Sequence, residues 1–197
     1  MVHPDLPIDG VTIDQLIAIY TGDVTNWQEL GGPNLPIKLY LAPLNSGAPT
    51  IFRTDFFVDG EDFSDRIQET RTPSEAMRRV GSPQDESEWG GIYMASARNL
   101  IGQCSVKPLA IAPTEGNFIA PYAGELVPIE NCPAQLNSIN EAAIQSGECP
   151  LFRRLFVITK SGESIDALVG QAYADLLLTE EGQSLVREAG FIPLRSF

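Results

Sequence analysis

Hydrophobic and polar positions alternate over 37–41, where Ile37, Leu39 and Leu41 flank Lys38 and Tyr40. That period predicts a strand with one buried face. A turn of small residues follows (Ala42-Pro43-Leu44-Asn45-Ser46-Gly47). From Thr50 the period lengthens, with Ile51, Phe52 and Phe56 on one face of a helix over 50–57. Upstream, Thr12-Ile13-Asp14-Gln15 is a capping box for a helix carrying Ile13, Leu16, Ile17 and Tyr20 and ending at Gly22. Residues 25–30 predict one further turn, with Thr25 as cap and Trp27 turned inward.

Residues 58–71 are acidic and aperiodic, which predicts a surface connection. Thr72-Pro73-Ser74-Glu75 combines an N-cap, a proline at the first helical position and a glutamate at the third, for a helix to Val80. Strands are predicted over 90–94 and 106–112, with a helix over 95–101 between them. Residues 113–135 contain Pro113, Pro121, Pro128 and Pro133 and read as an irregular excursion. A helix from Ser138 to Gly147 follows, then an apolar strand over 151–159. A helix capped by Ser164 comes next, restarted at Thr179 and stopped by Gly190. Strands alternating with helices predict an α/β fold with a mainly parallel sheet.

Composition narrows the function. A net charge of −13 and a pI near 4.4 exclude a nucleic-acid partner, which needs a basic face. The acids are dispersed and read as solvated surface. There is no spaced calcium loop, three cysteines are too few for a zinc site, and His3 is the single histidine. Metal and cofactor chemistry are therefore not expected. The G-x-S-x-G elbow, the P-loop lysine motif and H-E-x-x-H are all missing, and Ser46 has no histidine to activate it. The expectation is a protein that is not an enzyme. No apolar run reaches the ~20 residues of a membrane helix. Met1 to Pro7 lacks the features of a signal peptide, so the expectation is a mature or excised domain with Met1 as an added start.

The turn after the first strand carries the candidate chemistry. A strand feeding a small-residue turn that opens a helix presents unpaired N–H groups and the positive end of the helix dipole to an anion. Asn45, Ser46, Gly47 and Ala48 are the candidate ligand-binding residues, Ser46 adding a hydroxyl and Gly47 permitting close approach. The plainer alternative is a β–α turn capped by Ser46, with Gly47 present for its φ alone.

Several segments together resemble the phosphate-binding proteins of ABC importers, in the type II periplasmic binding protein superfamily. They are Leu16–Gly22 with Thr25-Asn26-Trp27 and Leu30-Gly31-Gly32, the strand–turn–helix over 41–52, Gly91-Ile92-Tyr93, Pro150-Leu151-Phe152-Arg153, and Thr179–Gln183 with Ala189–Leu194. They occur in the family's order along nearly the whole chain. The resemblance implies one type II lobe, its second lobe at about 8–150 and a C-terminal strand–helix segment at about 151–197. Tyr20, Trp27, Phe52 and Leu155 are expected in its core. The family's anion grip is Arg, Ser, Gly and Thr, and here only Ser46 and Gly47 match; Ala42 and Ala48 stand at the other two positions.

The resemblance also implies that the first-lobe segment is absent, so the apolar face of the helix over 165–178 needs cover and a homodimer or swapped contact is expected. The implied function is an extracytoplasmic, periplasmic-type solute-binding domain with a degenerate oxyanion site. Its partners would be a small oxyanion such as phosphate, with a membrane permease or the rest of a parent chain. The alternative is a sensor or interaction module that kept the fold and lost the ligand. Cys149 falls at the family's tyrosine in "Y-P-L-x-R", a packing position, which leaves Cys104 and Cys132 as the expected disulfide. Three free thiols in a cytoplasmic protein remain the alternative.

Overall fold

Thr12 closes one element and opens the next. Strand β1 (Gly10–Thr12) ends on it. Its hydroxyl then caps helix α1 (Ile13–Thr21), accepting from the Gln15 N–H while the Gln15 side chain accepts from the Thr12 N–H. That reciprocal pair satisfies donors a helix start leaves orphaned. Ile13, Leu16, Ile19 and Tyr20 form the buried stripe, and Gly22 stops the helix at φ 94°. A computed structural model of the chain describes residues 1–82 and 85–194. They fall into two compact units, Met1–Asn140 and Glu141–Phe197.

In the first unit a three-stranded parallel sheet has the order β3-β2-β4, from β2 (Lys38–Leu41), β3 (Gln68–Glu69) and β4 (Gly91–Tyr93). Tyr40 lies opposite Gln68 on one side and Tyr93 on the other. Helix α2 (Gly47–Phe56) links β2 to β3, and α3 (Pro73–Gly81) links β3 to β4. The alternation over 37–41 predicted one buried face, but Leu39, Tyr40 and Leu41 are all buried. A parallel strand with helices on both faces has no solvent side. Tyr40 packs in a cluster with Met1, Ala76, Val80, Tyr93, Leu100 and Val106. Another cluster is aromatic: Phe52 meets Tyr20 at 6.1 Å between ring centroids, Phe56 at 5.3 Å and Phe57 at 5.6 Å, and Phe57 meets Phe63 at 4.9 Å.

Trp27 anchors the next layer. It opens a 3₁₀ turn (Trp27–Leu30) capped by Asn26 rather than Thr25, because the Asn26 side chain accepts from the Gln28 N–H. The ring is fully buried and its Nε1 donates to the Gly90 carbonyl at 3.0 Å. Gly90 has no room for a side chain: a Cβ there would lie 2.1 Å from the Pro36 carbonyl oxygen. Residues 58–71 are not only a surface connection, since they include β3 and the buried Thr70. Near the chain start, His3 stacks on Trp89 at 4.4 Å, and burial holds its imidazole below the usual 6.5.

A second, two-stranded sheet pairs β1 with β5 (Ala110–Ala112) in parallel, Val11 opposite Ile111. Residue 107, expected in that strand, bridges Val2 instead. The Lys107 ammonium is buried, donating to the Leu6 carbonyl at 2.6 Å and to Asp9 at 3.0 Å. The helix expected over 95–101 is α4 (Ala97–Leu100). The excursion after β5 is held by bridges between Ile111 and Ile119 and between Tyr122 and Ile139. Asn137 clamps it, accepting from the Val127 N–H and donating to the Ala123 and Glu125 carbonyls. Cys104 and Cys132 are joined by a disulfide with 5.7 Å between Cα atoms, and Cys149 is free.

The second unit contains α5 (Glu141–Ser146), α6 (Ile165–Leu177) and α7 (Glu180–Glu188). Ser164 and Thr179 cap the last two through their hydroxyls. The α6–α7 corner is tight: a Cβ on Gly182 would sit 2.1 Å from the Leu176 carbonyl oxygen. Buried Gln183 ties the corner, donating to the Leu177 carbonyl and accepting from the Leu194 N–H. Residues 151–159 form no strand, and Leu155 is not in the core but 59% exposed. An apolar run becomes a strand only beside a second strand that completes its ladder. The unit itself supplies none.

Candidate functional site

The order β3-β2-β4 places β2 between its two successors, so the chain leaves the carboxyl end of β2 in one direction and returns on its other side. In open α/β sheets, the crevice beyond such a reversal is where ligands bind. The turn at the carboxyl end of β2 is the one singled out in the sequence. It leads into α2, which begins at Gly47, three residues before the predicted start.

Asn45 and Gly47 are exposed, and Ser46 and Ala48 are partly so. Ser46 stands at the N-cap position, but its side chain makes no capping bond. The Ser46 N–H is committed to the Pro43 carbonyl at 2.7 Å. The Gly47 and Ala48 N–H groups begin the helix and have no intrahelical acceptor. Pro49 contributes no N–H and packs inward. The turn therefore offers two N–H groups and one hydroxyl to solvent, a small anion nest. Capping chemistry alone does not use Ser46, so the plainer reading leaves its hydroxyl without a task.

A carboxylate opposes this nest. Glu69, at the end of β3, accepts from the Leu44 N–H at 3.3 Å. Two guanidinium groups of this unit are engaged elsewhere. Arg53 pairs with Asp62 at 3.5 Å. Arg79 pairs with Glu75 at 2.8 Å, donates to Gln68 and lies over the Tyr40 ring. The Arg71 N–H, then Arg79, hold the Glu75 carboxyl below the usual range. Ala42 and Ala48 supply no charge and no hydroxyl.

Beneath the edge the polar groups are satisfied internally. Thr70 donates its N–H and its hydroxyl to the Leu41 carbonyl, at 2.8 and 3.1 Å. The Tyr93 phenol bonds to Thr70, and burial raises its pKa. The Tyr20 hydroxyl reaches the Tyr40 carbonyl at 3.5 Å, and full burial raises its pKa more strongly. Both phenols stay neutral at pH 7 and bring no charge beneath the turn. Glu69, Thr70 and Tyr93 were missed as neighbours of the turn because β3 has only two residues, too few to show any period. The Thr72-Pro73 helix start was a usable signal, since a connection running into a helix at the same edge must end beside the turn.

Cys104 and Cys132 lie in the first unit away from this turn, walling a pocket of about 190 Å³ with Leu100, Lys107, Ile129 and Leu136. Among the described residues, no group of histidine, cysteine, aspartate or glutamate is arranged to hold a metal ion.

Known proteins resemble this chain along its length. The phosphate-binding protein PstS of Pseudomonas aeruginosa is 27% identical over 207 residues, covering 98% of this chain and 56% of that protein. PstS of Borreliella burgdorferi is 25% identical over 198 residues, covering 100% of this chain and 62% of its own length. This chain thus spans a little over half of these relatives. Among solved structures, an ABC-type phosphate transport receptor from Vibrio cholerae matches with a TM-score of 0.69 at 16% identity, over 97% of this chain and 66% of that one. PstS from Borrelia burgdorferi matches with a TM-score of 0.67 at 16% identity, over 99% and 68%. At these identities the structures establish the fold, a phosphate-receptor-like α/β architecture. The sequence profile described as a PBP superfamily domain matches residues 1–181, and with it the chain belongs to the PBP superfamily.

Proposed function

We propose that this chain is a solute-binding domain that is not an enzyme, of the kind that serves ABC importers, with a degenerate site for a small oxyanion such as phosphate. The observation that carries this reading is the solvent-facing turn Asn45–Ala48 at the start of α2, at the reversal of the sheet. The relatives named as phosphate-binding proteins point to the same ligand class. Degeneracy follows from Ala42 and Ala48 and from the Glu69 carboxylate beside the nest. A bidentate guanidinium is the strongest contact a phosphate ordinarily receives, and this turn lacks one. The Cys104–Cys132 disulfide supports an extracytoplasmic, periplasmic-type location, where such bonds persist. No described helix is long and apolar enough to cross a membrane.

Ala42 and Ala48 equally favour a second reading, a sensor or interaction module that has lost its ligand. Calorimetry with phosphate and sulfate separates the two. On the binding reading, phosphate binds the unmodified chain more weakly than micromolar, and Ala42→Arg with Ala48→Thr tightens it by about tenfold or more, the worth of one charge-assisted pair. Absence of heat from the folded double variant and from the unmodified chain would leave the interaction module standing.

A further inference from the structure

We propose that the pocket walled by the Cys104–Cys132 disulfide is a second binding site, for a small apolar molecule carrying one cationic amine. Three stretches of the first unit converge on it: Pro4 with Asp5, residues 100–108 from the end of α4, and residues 126–137 of the excursion. The disulfide ties the last two stretches together. No residue of the Asn45–Ala48 turn lines it, so this site does not rest on the oxyanion reading.

The lining is largely aliphatic. Leu100 and Val106 are buried, and Leu126 and Val127 are half-buried. Ile129 and Leu136 also line the pocket, yet they are 52% and 53% exposed. The other exposed large apolar residues described in this unit are Val58 and Phe118, so half of them stand at one cavity. Exposed apolar side chains gathered at a concave surface mark a place where a ligand covers them. Size limits what that ligand is. Voids wider than a water molecule are few in a close-packed interior. An apolar cavity of about 150 Å³ holds benzene, so the 190 Å³ here takes one ring with a short arm.

Charge sets the chemistry of the arm. The Lys107 ammonium is committed to the Leu6 carbonyl and to Asp9, and Asn137 spends its amide on the clamp across the excursion. Asp5 differs. Among the described residues its carboxylate has one ion-pair partner, His3, at 3.8 Å. The His3 Nδ1 accepts from the Asp5 N–H, and burial holds the imidazole below its usual 6.5, so it is neutral at pH 7. The Asp5 carboxylate therefore stands at the pocket without a cation to balance it. The chain's net charge of −13 also draws cations and repels anions. An ammonium on the ligand completes the Asp5 pair while the ring fills the aliphatic space.

The test is a nuclear magnetic resonance titration of the disulfide-bonded chain with phenethylamine, and with 2-phenylethanol as a neutral probe of the same size. The expected result is that amides within 100–108 and 126–137 shift with a Kd of about 0.1–1 mM, fitting a ligand of about nine non-hydrogen atoms, while Gly47 and Ala48 stay still. The amine should bind about fivefold more tightly than the alcohol at low ionic strength, the upper end of what a solvent-screened ion pair supplies. Asp5→Asn should bring the amine down to the affinity of the alcohol and leave the alcohol unchanged. Leu136→Arg, a change at an exposed side chain, should weaken the amine by about tenfold or more through obstruction and like charge. An unshifted Trp27 indole signal shows that each variant remains folded. Equal affinity of the two probes for the unmodified chain overturns the proposal. So does the absence of shifts in both stretches with phenethylamine at several millimolar, or amine binding that neither substitution weakens.

Discussion

Replacing Trp27 by alanine is expected to cost about 3–5 kcal/mol of stability, the largest single-residue effect in the first unit. The ring is fully buried and no neighbour can collapse onto its space without moving β4 or the 25–37 segment. Most of the loss is cavity and transfer energy rather than hydrogen bonding. The Gly90 carbonyl that accepts from the indole also accepts from the Lys38 N–H at 3.1 Å, so it is not left unpaired. Trp27→Phe separates the two contributions. It keeps most of the ring and should cost roughly 1–2 kcal/mol, the indole bond and a small void. Urea unfolding followed by far-UV circular dichroism measures both; equal losses for the two variants would show that the bond, not the packing, holds the turn.

Removing the Cys104–Cys132 disulfide is expected to cost about 3–4 kcal/mol. The loop it closes has a sequence separation of 28 residues, and closing a loop of that size restrains the unfolded chain by about this amount. The folded excursion keeps other ties, the Asn137 clamp and the two bridges, so it should loosen locally before the unit unfolds. Cys104→Ser with Cys132→Ser, or reduction, should therefore speed exchange first at 113–140. Cys149→Ser serves as the control. Its thiol is partly buried and has its pKa raised by that burial, so it packs rather than reacts, and its loss should change stability by less than 1 kcal/mol, roughly the cost of a small side-chain change. Melting curves that coincide with and without reductant would contradict the role assigned to the crosslink.

Four helix starts were legible in the sequence because capping is a local matter. Thr12, Thr72, Ser164 and Thr179 each cap through their own hydroxyl, with partners three residues away. Glycine stops were equally plain, since Gly22 and Gly190 take positive φ that other residues resist. What depends on distant neighbours was harder to read. Tyr40 looked like a solvent-facing position until helices on both faces of β2 buried it. Leu155 looked like core because apolar runs usually find a sheet, and here the run has no strand beside it. The Asn45–Ala48 turn was visible from its small residues, whereas Glu69 was not. Its relation to the turn arises from the pairing of Leu41 with Glu69 across 28 residues of sequence, and the stretch from 58 that leads into Glu69 carries no period.

The central claim, that the start of α2 is a weakened oxyanion site, is tested most directly by nuclear magnetic resonance during a phosphate titration. The account predicts that the amides of Ser46, Gly47 and Ala48 shift together, saturating above micromolar concentrations, with little change at the Cys104–Cys132 pocket. Saturation below micromolar, or shifts centred elsewhere while Gly47 and Ala48 stay still, would contradict it.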